Sequence, residues 1–229
     1  MEKSKMKQNY HFVEVGTSDF DTLIERVGDD VLGISIEPHK TYLERLPNRS
    51  NVTKLCAALV PEKLYEQNKE LNFYFVDEKI IEEKHLGGWL KGCNSVGKPH
   101  DFHLTWFHDP NIWHQSLDRS SLPTVNLLEM GLVTVEKVPC LTFPMLVERF
   151  NIGHIGFLKV DVEGQDPPLL KDILEYYVKN NPSDLPKQIL FETNTHSVPE
   201  EVEEIKAYMR TLGYKIEVYI NDCLATLEK

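Results

Sequence analysis

The sequence lacks the features that mark membrane-spanning and secreted proteins. No run of 18 or more apolar residues occurs in its 229 residues, so we predict no transmembrane segment. The first ten residues are polar and do not have the apolar stretch of a secretory signal. The four cysteines form no CxxC pair, which favours reduced thiols and a cytoplasmic location.

Positive charge is also scarce. The chain has 25 Lys and Arg residues against 36 Asp and Glu residues, a net charge of −11. Binding to nucleic acid or to anionic lipid depends on clustered basic residues, and the sequence has no such cluster. We therefore expect neither a nucleic acid nor a membrane as a partner. The length and the 41% hydrophobic content favour a single globular domain, residues 1–229.

Short β-branched runs alternate with helical stretches, which predicts an α/β fold. The expected architecture is a Rossmann-like, seven-stranded, mostly parallel sheet with helices on both faces. The predicted strands are 12–15, 31–36, 52–59, 71–76, 155–162, 188–193 and 214–220. The predicted helices are 20–27, 39–46, 142–150, 167–180 and 199–212.

The segment from about 77 to 130 interrupts this alternation. It contains all three tryptophans and five of the nine histidines. An irregular stretch of this length is usually functional, so we predict a lid-like insertion on the acceptor side of the sheet. The residues predicted to bind substrate are Asn94, Ser95, His100 and Trp106. Two alternatives stay open, namely that the tryptophans form core and that the histidines bind zinc, although their spacing matches no standard zinc site.

The loop that follows the first strand has a single early glycine, Gly16. Dinucleotide-binding loops have several glycines there, because a pyrophosphate must lie against bare backbone, so NAD and FAD fit poorly. S-adenosylmethionine has a ribose but no phosphate and fits better. Its amino-acid end would meet the loop Gly16–Asp19, and its ammonium group would pair with Glu14 and Asp19. An ordinary tight turn with a helix cap is the alternative for the same residues.

An acid, Glu37, ends the second predicted strand 21 residues after Gly16. An acid about twenty residues past the glycine turn is placed to accept hydrogen bonds from both ribose hydroxyls. The candidate cofactor-binding residues from this pattern are Glu14, Gly16, Thr17, Ser18, Asp19 and Glu37.

A second group of charges occurs in the stretch "GFLKVDVEGQD". Strand alternation would place Lys159, Asp161 and Glu163 on one face, near the end of a strand that should be buried. Buried charges are costly unless they are paired, and α/β sites lie at the carboxyl ends of parallel strands. The alternative is a structural ion pair between Lys159 and a neighbouring carboxylate such as Glu192.

These stretches resemble the FkbM-type methyltransferases, which use S-adenosylmethionine and have a class I, Rossmann-like fold. The resemblance includes "IEP" at 36–38, "CAAL" at 56–59, residues 138–166 and "FETN" at 191–194, and "LKVDVEG" is its most specific element. The opening loop departs from the family, which more often has Asp in place of Glu14 and a second glycine in place of Phe20. The resemblance implies that Glu37 and Pro38 lie at the ribose, Gly16 to Ser18 face the methionine moiety, and Cys56 and Ala57 line the adenine.

The sequence therefore predicts an S-adenosylmethionine-dependent O-methyltransferase that acts on a sugar hydroxyl of a glycan or glycan precursor. The candidate catalytic residues are Asp161, Lys159, Glu163, Glu192 and His196, with Asp161 first as general base. A Mg²⁺ or Mn²⁺ ion is the alternative means of activation, with Asp161, Glu192 and Asn194 as its candidate ligands. A nicotinamide-dependent oxidoreductase and a non-catalytic carbohydrate-binding domain remain as other classes.

Overall fold

The structure is a computed structural model and describes residues 7–107, 124–193 and 196–228. The strands in chain order are β1 (Gln8–Val15), β2 (Gly33–Ile36), β3 (Val52–Leu55), β4 (Ala58–Leu59), β5 (Glu70–Phe75), β6 (Ser95–Val96), β7 (Trp106–Phe107), β8 (Thr124–Val125), β9 (Thr134–Leu141), β10 (Ile152–Val160), β11 (Gln188–Glu192), β12 (Tyr214–Val218) and β13 (Asp222–Leu227). The α-helices are α1 (Leu23–Arg26), α2 (Lys40–Arg45), α3 (Glu62–Gln67), α4 (Glu78–Glu83), α5 (Asp101–Leu104), α6 (Phe143–Phe150), α7 (Asp166–Asn180) and α8 (Pro199–Thr211). Short 3₁₀ helices lie at Gly88–Gly92 and Pro182–Asp184. None of the helices in the described part of the chain has the length and apolar content needed to cross a bilayer.

The described chain divides into two compact units. The first comprises the described residues of 1–70 and 138–229, and the second comprises the described residues of 71–137. The predicted insertion, 77–130, falls inside the second unit.

A seven-stranded sheet organises the first unit, in the order β12-β13-β11-β10-β1-β2-β3. The pairs from β11 to β3 are parallel, and β13 runs antiparallel between β11 and β12. The chain winds from β1 outward to β3 and then returns to the other side of β1 as β10. The direction of winding therefore reverses between β1 and β10, and in such sheets ligands bind at the carboxyl ends of the strands beside this reversal. The predicted fold class is confirmed.

Helices cover both faces of this sheet because its central strands are apolar on both sides. On one face, Val13 and Val15 pair in register with Leu158 and Val160, and they share a buried cluster with residues of α6, α7 and α8. On the other face, Phe12 belongs to a smaller cluster that includes residues of α1 and α2. Burial of this kind is worth about 1.5–3 kcal/mol for each large apolar side chain.

A row of polar residues crosses the second face one position before the strands end. Glu14 is in register with Lys159 on one side and with Ser35 on the other, and Ser35 is in register with Lys54. Glu14 and Ser35 are fully buried. The hydrophobic face is therefore interrupted just below the carboxyl edge, where a polar group needs a partner to be stable.

The predicted helices agree with the structure to within a few residues, except that the first is shorter. The prediction that strand 71–76 belongs to the large sheet is wrong, because this stretch corresponds to β5, which is not part of that sheet. The seventh strand of that sheet is β13, which the sequence did not predict. The predicted strand 52–59 divides into β3 and β4, with Cys56 and Ala57 between them.

The second unit has an apolar core of its own. Its buried members include Val76, Ile81, Leu90, Trp106 and Leu127. The described part of the predicted insertion therefore contains several short elements that bury these side chains against one another, and its role as an acceptor-side lid stays a prediction.

Candidate functional site

Two loops meet at the reversal point of the sheet, one after β1 and one after β10. The N–H of Gly16 donates to the carbonyl of Ile36 at 2.9 Å, and the N–H of Asp161 donates to the carbonyl of Val15 at 2.9 Å. Gly16 has a φ of +76°, and a Cβ there would lie 1.7 Å from the carbonyl oxygen of Asp161. Only glycine allows the two loops to approach this closely.

Glu37 follows β2 and fixes the opening loop to the start of α2. Its Oε2 accepts a hydrogen bond from the N–H of Ser18, and its Oε1 accepts one from the N–H of His39, both at 2.8 Å. The side chain is buried, with 4% of its surface exposed. A carboxylate has about four acceptor positions, so these two bonds leave capacity for the hydroxyls of a ligand.

Burial raises the pKa of Glu37 to about 7. The backbone N–H groups of His39, Ser18 and Thr17 lower this pKa, and the carboxylate of Asp161 raises it. The ionised form of Glu37 is therefore destabilised by burial unless further hydrogen-bond donors reach its carboxylate. A ribose diol would supply such donors.

The opening loop offers further polar groups. Thr17 is buried and its hydroxyl donates to the carbonyl of Ser18 at 3.0 Å. Ser18 has a φ of +48°, and its Oγ is buried without a hydrogen-bond partner within the described residues. A buried hydroxyl of this kind suits a polar ligand group, and beside the acceptor oxygens of Glu37 it would suit the polar groups of S-adenosylmethionine.

Glu14 and Asp19, the predicted partners of the cofactor's ammonium group, have partners within the protein. Both carboxylate oxygens of Glu14 accept from the N–H of Leu23 at 3.0 Å, which caps the start of α1. Asp19 forms an ion pair with Arg45 at 2.7 Å. Their assignment to the cofactor stays a prediction.

Lys159 forms an ion pair of the kind that the alternative interpretation predicted, but with a different carboxylate, and its catalytic role stays a prediction. Its Nζ lies 3.3 Å from Oε1 of Glu14 and 3.2 Å from the carbonyl oxygen of Asp21. Burial raises the pKa of Glu14, and the Lys159 ammonium lowers it. Glu192, which the sequence suggested as the partner of Lys159, lies in a different cluster.

Three predicted catalytic carboxylates converge beside the reversal point. One carboxylate oxygen each of Asp161, Glu163 and Glu192 lie within 4.8 Å of one another, a spacing that a divalent cation could bridge. The strand alternation that was predicted for this stretch is wrong, because β10 ends at Val160 and Glu163 has a φ of +52°. The turn, and not the strand, directs Glu163 toward the other two acids.

The loop after β11 brings His196 to the same place. A ring nitrogen of His196 lies within 4.8 Å of a carboxylate oxygen of Glu163. Gly164 has a φ of +84°, and a Cβ there would lie 2.5 Å from the carbonyl oxygen of His196. Asn194, a predicted metal ligand, lies outside the described residues.

The charges in this cluster repel one another. Burial raises the pKa of Asp161, the Lys159 ammonium lowers it, and the carboxylates of Asp222 and Asp21 raise it further. Asp166, which is not among the predicted site residues, is fully buried, and burial raises its pKa well above the usual value. Its position at the end of the stretch "GFLKVDVEGQD" is the one sequence feature that points to Asp166. Asp222 begins β13, a strand that the sequence did not predict.

Two of the remaining cofactor candidates, Cys56 and Ala57, border a pocket of about 640 Å³ in the first unit. Cys56 and Ala57 line it together with residues of β9 and α6, among them Met145 and Arg149. The thiol of Cys56 contacts the carbonyl oxygen of Pro38 at 3.6 Å, which connects this pocket to the residue that follows Glu37.

The predicted substrate residues all lie in the second unit. His100 is buried and its Nδ1 accepts from the N–H of Phe102 at 3.1 Å, capping α5. Ser95 donates to the carbonyl of Lys98, and Asn94 donates to that of Lys91. Trp106 is buried in the core, as the alternative for the tryptophans predicted, and its ring packs 5.3 Å from that of Trp89. Contact of these four residues with a substrate stays a prediction.

Residues 11–216 of the 229 match the model of the methyltransferase FkbM domain. The chain belongs to the FkbM methyltransferase family. Neither a curated protein nor a solved structure matches it significantly.

Proposed function

We propose that this chain is an S-adenosylmethionine-dependent O-methyltransferase that acts on a sugar hydroxyl of a glycan or glycan precursor. The family supports methyl transfer in general. The observation that carries the proposal is Glu37, a buried carboxyl group at the end of β2 that holds the opening loop through Ser18 and His39. It has the position and the acceptor capacity that a ribose diol requires.

S-adenosylmethionine, when bound, would supply an electrophilic methyl group on sulfur. Glu37 would accept the ribose hydroxyls, and the backbone and hydroxyls of Thr17 and Ser18 would face the methionine moiety. Cys56 and Ala57 would line the adenine, and the pocket that they border supports this placement. The position of Gly16 against Asp161 would keep the methionine end close to the carboxylate cluster.

A sugar hydroxyl is a poor nucleophile at neutral pH, so the acceptor needs a group that removes its proton. Asp161 is the first candidate, because burial and neighbouring acids raise its pKa toward the range of an effective base. Its neighbours Glu163 and Glu192 give a second route, in which the three carboxylates hold Mg²⁺ or Mn²⁺. A polar acceptor would also find hydrogen-bonding groups in His196.

The cofactor assignment can be tested by calorimetric titration of S-adenosylhomocysteine into the wild type, Glu37→Gln and Glu44→Gln. Glu37→Gln removes the charged acceptor, so binding should weaken by about 1.5–3 kcal/mol, the range for hydrogen bonds to a charged group. Glu44 lies on the exposed face of α2, and its variant should bind like the wild type. Equal affinity in all three proteins would contradict the assignment of Glu37.

The same titrations separate the alternatives. Stabilisation by NADH, with no binding of S-adenosylhomocysteine, would favour the oxidoreductase. Binding of an oligosaccharide that is independent of any cofactor would favour the carbohydrate-binding domain. A screen of sugar acceptors with labelled S-adenosylmethionine then identifies the hydroxyl.

We also propose a cytoplasmic location and no nucleic-acid or membrane partner. The four cysteines are free thiols, and the net charge of −11 disfavours anionic partners.

A further inference from the structure

The first residue of α7, Asp166, lies between the two loops that carry the carboxylate cluster. Its Oδ2 accepts a hydrogen bond from the N–H of Val162, and its Oδ1 accepts one from the N–H of Glu192, both at 3.4 Å. Its side chain is fully buried. Both distances are at the long end of the hydrogen-bond range, so each bond is weak alone and the connection depends on having both.

These two N–H groups lie just past the end of the ladder between β10 and β11. The last pair of that ladder is Val160 with Phe191, after which β10 ends and the chain turns away. The three carboxylates lie just past the end of this pairing. The end of the ladder leaves N–H groups that it no longer pairs, and buried N–H groups without a partner are costly.

The helix behind Asp166 gives it a fixed position. Four residues of α7, Leu169, Leu170, Ile173 and Leu174, are fully buried in the main core. A side chain at the start of such a helix is held by the packing of several turns. Groups that must be placed accurately are held best by rigid elements.

We propose that Asp166 is a positioning residue that connects the ends of β10 and β11 and thereby sets the spacing of Asp161 and Glu192. This inference rests on the proposed function, because the spacing matters only if these carboxylates act on the acceptor. Asp166 itself contacts backbone N–H groups of both loops and needs no contact with cofactor or acceptor.

The test is Asp166→Asn, in which the amide can accept from one N–H group but not from both. Turnover should fall about tenfold or more, while the dissociation constant for S-adenosylhomocysteine and the KM for the cofactor change less than twofold, since misplaced reacting groups lower kcat. The matched control is Asp172→Asn on the same helix, whose Oδ2 accepts from the N–H of Glu62. Its turnover should equal that of the wild type. Unchanged turnover in Asp166→Asn, or an equal loss in both variants, would overturn the proposal.

Hydrogen exchange provides a readout that does not depend on activity. In the wild type, the amides of Val162 and Glu192 should be protected although they lie past the last ladder pair. In Asp166→Asn, exchange at one or both should accelerate while that of Leu158 and Ile189 stays slow. Fast exchange of both amides in the wild type would overturn the proposal even if Asp166→Asn fails to fold. A wild type that exchanges as expected but transfers no methyl group would instead count against the proposed function.

Discussion

The α-carbon of Gly16 lies directly against the backbone of Asp161, so closely that a methyl group on Gly16 would come within 1.7 Å of the Asp161 carbonyl oxygen. This contact joins the loop proposed to hold the cofactor to the loop that carries the candidate base. The two loops follow adjacent strands, β1 and β10, at the point where the winding of the sheet reverses. The spacing of these two loops is therefore fixed by backbone packing.

Replacing Gly16 with alanine should be strongly destabilising. The new Cβ must displace the Asp161 backbone, and the residue must also keep a positive φ, so the free energy of unfolding should fall by about 2–4 kcal/mol. Gly213→Ala is the matched control, because Gly213 has a φ of +92° but its nearest neighbours lie 3.8 Å from the new Cβ. It should cost only about 1 kcal/mol. Similar losses in both variants, measured by urea unfolding, would contradict the close packing of Gly16.

The pKa of Glu37 predicts a pH-dependent stability. The folded-state pKa is about 7, above the ordinary value of 4.5, so the folded state binds the extra proton. The contribution of this group is fully present below about pH 4.5 and is lost as the pH rises through 7. Relative to the wild type, Glu37→Gln should therefore become more stable by about 2–3 kcal/mol between pH 5 and pH 8. Glu44→Gln should show no such trend, and a flat difference for Glu37→Gln would be evidence against its burial as an uncompensated acid.

The strands and helices of the large sheet could be predicted because their apolar residues recur with a regular period. Strand β13 could not, because its buried positions are the small residues Cys223 and Ala225, which give a weak strand signal. The core of the second unit was missed for a related reason: its apolar side chains come from short segments without a shared period.

Those features of the site that follow from sheet topology alone could be predicted from the sequence. Those that depend on strand register or on turn geometry could not. Parallel topology requires that Glu37, Asp161 and Glu192 lie at one edge. The partner of Lys159 depends on the register of β1 against β10, which places Glu14 opposite Lys159. No local sequence pattern indicates this register. The role of Asp166 depends on the left-handed residues Glu163 and Gly164, which end the alternation and turn the chain into α7.

His103, in the second unit, should be replaceable with a gain in stability. Its ring is fully buried, and neither nitrogen has a hydrogen-bond partner in the described structure. Burial lowers its pKa to about 4, so its contribution is present above about pH 6.5 and is lost as the pH falls toward 4. His103→Leu should stabilise this unit by about 1–2 kcal/mol at pH 7, and by more at pH 5.

The control for this prediction is His100→Leu. His100 is also buried, but its ring caps α5, so its replacement should cost about 1 kcal/mol at pH 7. Hydrogen exchange of amides within residues 71–105 measures both variants in the whole protein. A loss of protection in His103→Leu at neutral pH would show that the ring contributes to stability and would contradict the prediction.

The mechanism is tested most directly at Asp161. Asp161→Asn keeps the shape of the side chain and removes its charge, so turnover should fall by about a hundredfold or more while the affinity for S-adenosylhomocysteine changes little. EDTA separates the two routes: loss of wild-type activity that Mg²⁺ or Mn²⁺ restores indicates a metal, and unchanged activity indicates a base.

Asp222→Asn is the control, since it removes a neighbouring charge that raises the pKa of Asp161 but leaves Asp161 in place. If Asp161 is the base, this variant should keep the maximal rate and move the acidic limb of the pH–rate profile to lower pH. Near-normal turnover in Asp161→Asn would make the carboxylate structural and would shift the proposed base to His196 or Glu192.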